Sequence, residues 1–321
     1  MHSSAERRSL LILAGLGLAM LVAIALFMTL NARGSWDFVL PFRGRKVWGM
    51  VLVGYAIAVS TVLFQTVSGN RILSPGIMGF DWLYSLVQTT LVFVLGGFAY
   101  STLDPQLRFA GDVLVMVVLS TALFRWLFGG NSRDLYLLVL VGIVFGVMFR
   151  SLSNLMQRMI DPNEFVVLQD ALFASFNTID ATLLVVATVL MALVSLLIVP
   201  ILGRLDVLLL GRDPALGLGV DHVRTVSLVL VVIAVLVSVS TALVGPVLFF
   251  GLLVSNLAYL ILPTYRHAYV LPAAAMLAVI GLVGGQAVLE HVFGYNTALA
   301  IIIEFVGGIT FLVLIMRRSR A

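Results

Sequence analysis

The feature that most constrains this chain is the recurrence of apolar runs about 18 to 25 residues long, each enough to cross a hydrocarbon core about 30 Å thick as one helix. Only 11% of the 321 residues are charged and 61% are hydrophobic, where a soluble globular protein carries about 25% charged residues. No hydrophilic stretch reaches the roughly 50 residues of a separate soluble domain. The expectation is an all-α polytopic membrane protein, one transmembrane domain over residues 1–321. Ten spans are expected, near 10–30, 47–66, 79–98, 109–128, 134–159, 180–200, 225–243, 247–262, 269–289 and 297–316. The apolar stretch after "ERR" runs on to Leu30 without a small-residue cleavage site, so it reads as an uncleaved first span. With the N-terminus inside, twelve of the nineteen basic residues fall on the inner side: Arg7, Arg8, Arg71, Arg125, Arg133, Arg204, Arg212, Arg224, Arg266, Arg317, Arg318 and Arg320. That bias sets the orientation and makes both termini cytoplasmic.

Several chemistries are excluded early. The chain has no cysteine, and His2, His222, His267 and His291 lie far apart, so no metal site is expected. The single lysine, Lys46, sits between Arg45 and Val47. A Walker A loop needs its lysine after glycine and before serine or threonine to grip nucleotide phosphates, so this chain has none. Any ATP-driven step needs another subunit. An intramembrane enzyme would show a nucleophile–base pair or metal ligands within spans, and neither is visible.

Three polar stretches interrupt the apolar pattern. The longest, 203–224, contains "LGRDPALGLG" from Leu210 to Gly219. Asp213 can cap a helix with Pro214 at its first position, and Gly217 or Gly219 can end it. The result is either a plain connector or a short inner-face helix presenting Leu216 and Leu218 to a partner. The second, "VSGNRILSPGIMGFD", breaks the helix between two spans and offers Gln65, Ser68, Asn70 and Ser74 as hydrogen-bonding groups. Non-helical backbone at membrane depth is tolerated where protein buries it or water lines it, so the stretch is either the wall of a passage or a tight turn at the inner surface. The third, "PFRGRKVWGM", places Arg43, Arg45 and Lys46 on the outer side against the prevailing bias, flanked by Trp36 and Trp48. It reads as a docking surface or as interfacial anchoring.

These stretches resemble one family, the FecCD-type permease subunits of iron-siderophore, haem and cobalamin ABC importers. Leu210, Gly211, Ala215, Leu218 and Gly219 match its L-G-x-x-x-A-x-x-L-G loop; Asn70, Pro75 and Gly79 match N-P-L-A-x-P-x-x-L-G; Gly245, Phe249, Gly251 and Leu252 match G-x-I-x-F-V-G-L-I-x-P-H. Arg71 stands where the first proline is usual, Met78 for a leucine, and Ser255 and Asn256 replace Pro-His. Near the C-terminus Gln286, Glu290 and "NTALA" at 296–300 stand where the family often has Asp, Arg and E-L-P-x-G, so an external arginine is lost. The resemblance covers about residues 10–316 and is nearest to the ferric catecholate branch.

The resemblance implies a type II ABC importer permease fold with inverted-repeat halves in a bacterial cytoplasmic membrane. Leu210, Gly211, Ala215, Leu216, Leu218 and Gly219 would seat in the ATPase, and Arg43, Arg45 and Lys46 would meet a periplasmic or lipid-anchored substrate-binding protein. Gln65, Ser68, Asn70, Ser74, Arg150 and Asn154 would line the path. Partners would be a second permease, identical or homologous, two ATP-binding subunits, the binding protein and membrane lipid, with no nucleic acid. No cofactor would bind here directly; ATP and magnesium belong to the ATPase subunits. Arg150, inside the fifth span, could instead be a structural arginine bonded to backbone carbonyls or to Asn154. Asp81 is expected to cap the third span, and Glu304 to pair with a basic group. The competing class is an ion- or proton-coupled secondary transporter, with Asp81 and Glu304 as its coupling carboxylates.

Overall fold

The computed structural model describes residues 4–31, 35–128, 135–177, 179–294 and 299–318. Among them there are helices and no strands. Seven are long and apolar enough to cross a membrane, and three further apolar helices are shorter. Helix α1 (Ser4–Thr29) lies at the periphery against α13 (His267–His291). The second helix, α2 (Trp36–Ser68), starts eleven residues before the expected span and is buried along most of its length against α11 (His222–Val244) and α13. Next come α3 (Phe80–Leu95), the single-turn α4 (Gly97–Thr102), α5 (Pro105–Phe128) and α6 (Leu135–Gln157). An additional helix, α7 (Pro162–Leu172), occupies the interval between the fifth and sixth expected spans. Its start is written locally, since Asp161 accepts a bond from Asn163 N–H and Pro162 fills the first position, where no N–H is needed. Then follow α8 (Ala181–Leu196), a 3-10 turn at Val199–Ile201 and α9 (Leu202–Leu208). The remaining helices are α10 (Arg212–Gly217), α12 (Phe250–Ile261) and α14 (Leu299–Arg318).

Two faces can be told apart by pairing. At one, Arg266 Nη1 meets Glu6 Oε1 at 2.8 Å and His267 meets Asp206 of α9. This face holds α10, the start of α1 and, by alternation of helix direction, the end of α14. At the other, the first turns of α2 meet the last turn of α13. Thus α2 runs toward the α10 face and α11 runs away from it.

The two runs end alike. Helix α2 stops at Gly69, whose left-handed φ of 61° closes the C-terminus, and a broken segment leads into α3. Helix α11 stops at Gly245, and a second broken segment leads into α12. At about 1.5 Å per residue, the 16 residues of α3 and the 12 of α12 are too short to cross a hydrocarbon core of about 30 Å. The broken segments cover the remaining depth. Although they enter from opposite faces, Ser74–Pro75–Gly76 and Gly245, Val247 and Phe249 line one common cavity. This is the inverted pairing of two halves that places irregular backbone inside protein rather than against lipid. Gly79 has to be glycine: its φ is 102°, and a Cβ there would lie 2.7 Å from the Gly146 backbone of α6.

Candidate functional site: two faces and the break between them

Helix α10 forms the exposed knob of its face. Gly211, at φ 98°, precedes it and no side chain caps it, so Asp213 does not serve as the cap expected from the sequence. The helix begins two residues earlier than that expectation, in a turn that only glycine enters freely. It closes as a Schellman motif: Val220 N–H donates to Ala215 O and Gly219 N–H to Leu216 O, each at 3.0 Å, with Gly219 left-handed. Leu210, Leu216 and Leu218 are half or more exposed, whereas Ala215 is fully buried. Leucines 210, 216 and 218 thus form the outward surface, and Ala215 seats the helix on the body.

Beneath α10 lies a cluster that sequence reasoning missed. Asp206 of α9 accepts from His267 N at 2.8 Å and pairs with its Nδ1 at 2.6 Å, while Nε2 meets Thr66 Oγ1 of α2 at 2.7 Å. The links span 61 and 201 residues, and no local pattern announces them. They join the element next to α10 to α13 and to the last turn of α2, just before the break.

Within the break, Gln65 is buried and donates to Arg71 O at 2.8 Å and to Ser255 Oγ at 2.9 Å. Asn256 Nδ2 donates to the same carbonyl at 3.1 Å, and the Arg71 guanidinium lies over the rings of Tyr259 and Tyr265 at 4.4 and 4.9 Å. Three of the positions where this chain departs from the usual motifs are therefore joined: Asn256 bonds the Arg71 carbonyl directly, and Ser255 is linked to it through Gln65. A carbonyl freed by the break is satisfied by the amide that replaced a histidine. Ser68 bonds weakly to Gln65 O and Asn70 O, Asn70 Oδ1 holds Ile72 N–H in an exposed turn, and Ser74 is buried on the cavity wall.

Arg150 and Asn154 belong elsewhere. Both are exposed on α6, and the Arg150 guanidinium stacks over Trp82 at 4.7 Å, in place of the expected carbonyl or Asn154 partner. The reason is the register of α6: Arg150 shares the α3-facing side with Ser153 and Gln157, three and seven residues on, and Ser153 meets Ser85 and Thr89 at 3.1 and 2.9 Å, which sets Arg150 over Trp82 at the edge of the same contact. Asp81 caps no backbone N–H; Gly79 occupies the N-cap of α3.

The three basic residues of the opposite face have separate roles. Arg43 donates to Phe27 O and Leu30 O at 2.6 and 2.7 Å, capping the last turn of α1. Lys46 is 4% exposed, with Nζ 2.9 Å from Glu290 Oε1. Gln286 Nε2 extends this pair by donating to Glu290 and to Asn177 Oδ1 at 3.0 and 3.2 Å. Arg45 is exposed and lines a cavity of roughly 580 Å³ with Arg108, Asn177 and Asp180. Bonds from Leu183 and Thr182 N–H hold the Asp180 carboxyl below the usual carboxylate range. Positions 296–298, part of the departing C-terminal motif, lie outside the described residues.

A polytopic helical membrane protein whose inverted halves each break at a Gly-Pro segment, with a short helix projecting from one face, has the form of a transport permease. The chain belongs to the FecCD transport family, whose model matches residues 8–317. It is 46% identical over 305 residues to the petrobactin import system permease protein YclO of Bacillus subtilis, covering 95% of this chain and 96% of that one. It is 36% identical to the petrobactin import system permease protein FatC of Bacillus anthracis, over 84% of this chain and 76% of that one. A solved structure described as an inward-facing conformation of a metal-chelate type ABC transporter superposes with a TM-score of 0.84 at 21% identity, covering 96% and 99% of the two chains.

Proposed function

We propose that this chain is the transmembrane permease subunit of an ATP-driven importer, receiving an iron-siderophore outside and releasing it into the cytoplasm of a bacterium. The cargo is of the ferric catecholate type, the branch the sequence resembles. Petrobactin is the first siderophore to test, because two relatives are named for its import. The observation that carries this reading is α10: a capped six-residue helix with leucines turned into water, joined by Asp206, His267 and Thr66 to the break in α2. Exposed apolar side chains on a rigid knob suit insertion into a partner's groove. The α10 face is then cytoplasmic, as are both chain ends, and two ATPase subunits holding ATP and magnesium grip it. Their closure acts as differential affinity for two conformations, transmitted through α9 to the break formed by Gln65, Ser68, Asn70 and Ser74. An exposed arginine midway along a span is costly in lipid, so Arg150 and Asn154 on α6 support a second permease, identical or homologous, that covers this face and shares the path.

Reconstitution with partner permease and ATPase in liposomes should give ATP hydrolysis stimulated by binding protein loaded with ferric petrobactin, together with uptake. Uptake that survives ATPase inactivation and collapses with the proton gradient would assign the chain to ion-coupled transport instead.

The opposite face is proposed to dock a periplasmic or lipid-anchored binding protein. Of the three basic residues named from the sequence, Arg45 is the contact, while Arg43 and Lys46 hold the surface in shape from beneath. Arg45→Glu should weaken docking about tenfold at low salt and much less at high salt, with the on-rate most affected. Surface plasmon resonance across a salt series checks this; a salt-independent loss, or none, removes Arg45 from the interface.

A further inference from the structure

The cavity shared by the two breaks is about 40 Å³, room for a small ion or a few water molecules. Its wall carries one carboxylate, Asp81, and five hydroxyls, from Ser60, Thr61, Ser74, Ser240 and Thr241. Asp81 is 8% exposed, and its carboxylate accepts no hydrogen bond and meets no basic side chain among the described residues. A buried ionised carboxylate is very costly without a counter-charge.

Two of the hydroxyls are set to accept rather than donate. Ser60 gives its hydrogen to Ile57 O at 3.1 Å and Ser240 gives its own to Val237 O at 3.0 Å, each within its helix. Their oxygen lone pairs are left for the cavity. Gly76 lies directly against the Asp81 carboxylate, where any Cβ would overlap it, so the break is shaped to the charged group.

We infer that this cavity binds one monovalent cation of the size of Na⁺. The donor set is hard oxygen throughout, which excludes soft metals. One carboxylate neutralises one positive charge; a calcium site takes 6–8 oxygens with more than one carboxylate in most cases. Unwound backbone between half-helices is where membrane transporters hold such ions. The bound ion would tie α3 through Asp81 to α2 through Ser60 and Thr61 and to α11 through Ser240 and Thr241, pinning the two halves where their breaks meet. This is independent of the cargo and of the energy source, so either reading can fail without the other.

The test uses the purified full-length permease in detergent, with NaCl exchanged for N-methyl-D-glucamine chloride at constant ionic strength. Na⁺ should give a saturable rise in Tm of about 4 °C, and equilibrium binding of radioactive ²²Na⁺ should saturate near one ion per chain. Asp81→Asn should abolish both signals. Thr241→Val, which conserves shape, should weaken Na⁺ binding about tenfold, so the test stands even where the aspartate variant does not fold. Equal melting in both salts without retained ²²Na⁺ would mean that water alone fills the cavity. A Na⁺ response unchanged in Thr241→Val would place the ion elsewhere. Either result overturns the inference.

Discussion

Lys46→Ala should destabilise the protein by about 3–5 kcal/mol, because it removes the ammonium that faces the Glu290 carboxylate inside a buried seam. The two side chains are 5% and 7% exposed and 2.9 Å apart, so each has exchanged most of its water for the other. The loss should be far larger than for Arg45→Ala, a change at the exposed surface one residue away, expected within about 0.5 kcal/mol. Replacing both partners, Lys46→Met with Glu290→Leu, should recover most of the stability, since a well-packed apolar pair is often neutral relative to a buried ion pair. Thermal melts of the parent, Lys46→Met, Glu290→Leu and the double variant form a double-mutant cycle. If the lysine variant melts within a degree of the parent, the pair is solvated and the argument fails. The same cycle separates docking from folding: a binding-protein defect in Lys46→Ala that vanishes in the double variant is a stability effect.

Leu216→Asp combined with Leu218→Asp should leave the melt unchanged and abolish coupled transport. Both side chains are at least half exposed, so a charge there costs the free permease little. In a complex they would be central apolar anchors, and losing such anchors costs about 2 kcal/mol or more each, roughly thirtyfold in affinity apiece. Co-purification of the ATPase should fail, and hydrolysis should no longer respond to loaded binding protein. Ala215→Asp is the informative contrast. Ala215 is fully buried, so that change should damage α10 and the helices beneath it before any partner arrives. Retained ATPase binding and transport in the double leucine variant would refute the docking role of α10.

The two faces were not equally legible from sequence. On the α10 face, Pro214, Gly217, Gly219 and the leucines announce a short exposed helix, because cap and turn chemistry is local. The start of the helix was misplaced because Asp213-Pro214 is a good cap signal that a glycine turn overrode. On the opposite face, three basic residues in four positions look equivalent in sequence. They divide into a cap for α1, a buried ion pair and an exposed side chain only after α1, α2 and α13 are packed. Arg150 was visible as a mid-span charge, yet its neighbour Trp82 depends on the register between α3 and α6.

By itself the sequence determined that the chain is a bundle of helices fit for a bilayer, and where one of them breaks. Those properties follow from apolar run length and from glycine and proline, which act on the backbone within a few residues. Only the tertiary structure decided which polar groups find each other. Lys46 reaches Glu290 across 244 positions, and Gln65 reaches Ser255 across 190. In an interior without water such groups must pair with whatever the packing brings near, and packing is a property of the whole bundle rather than of any stretch of it.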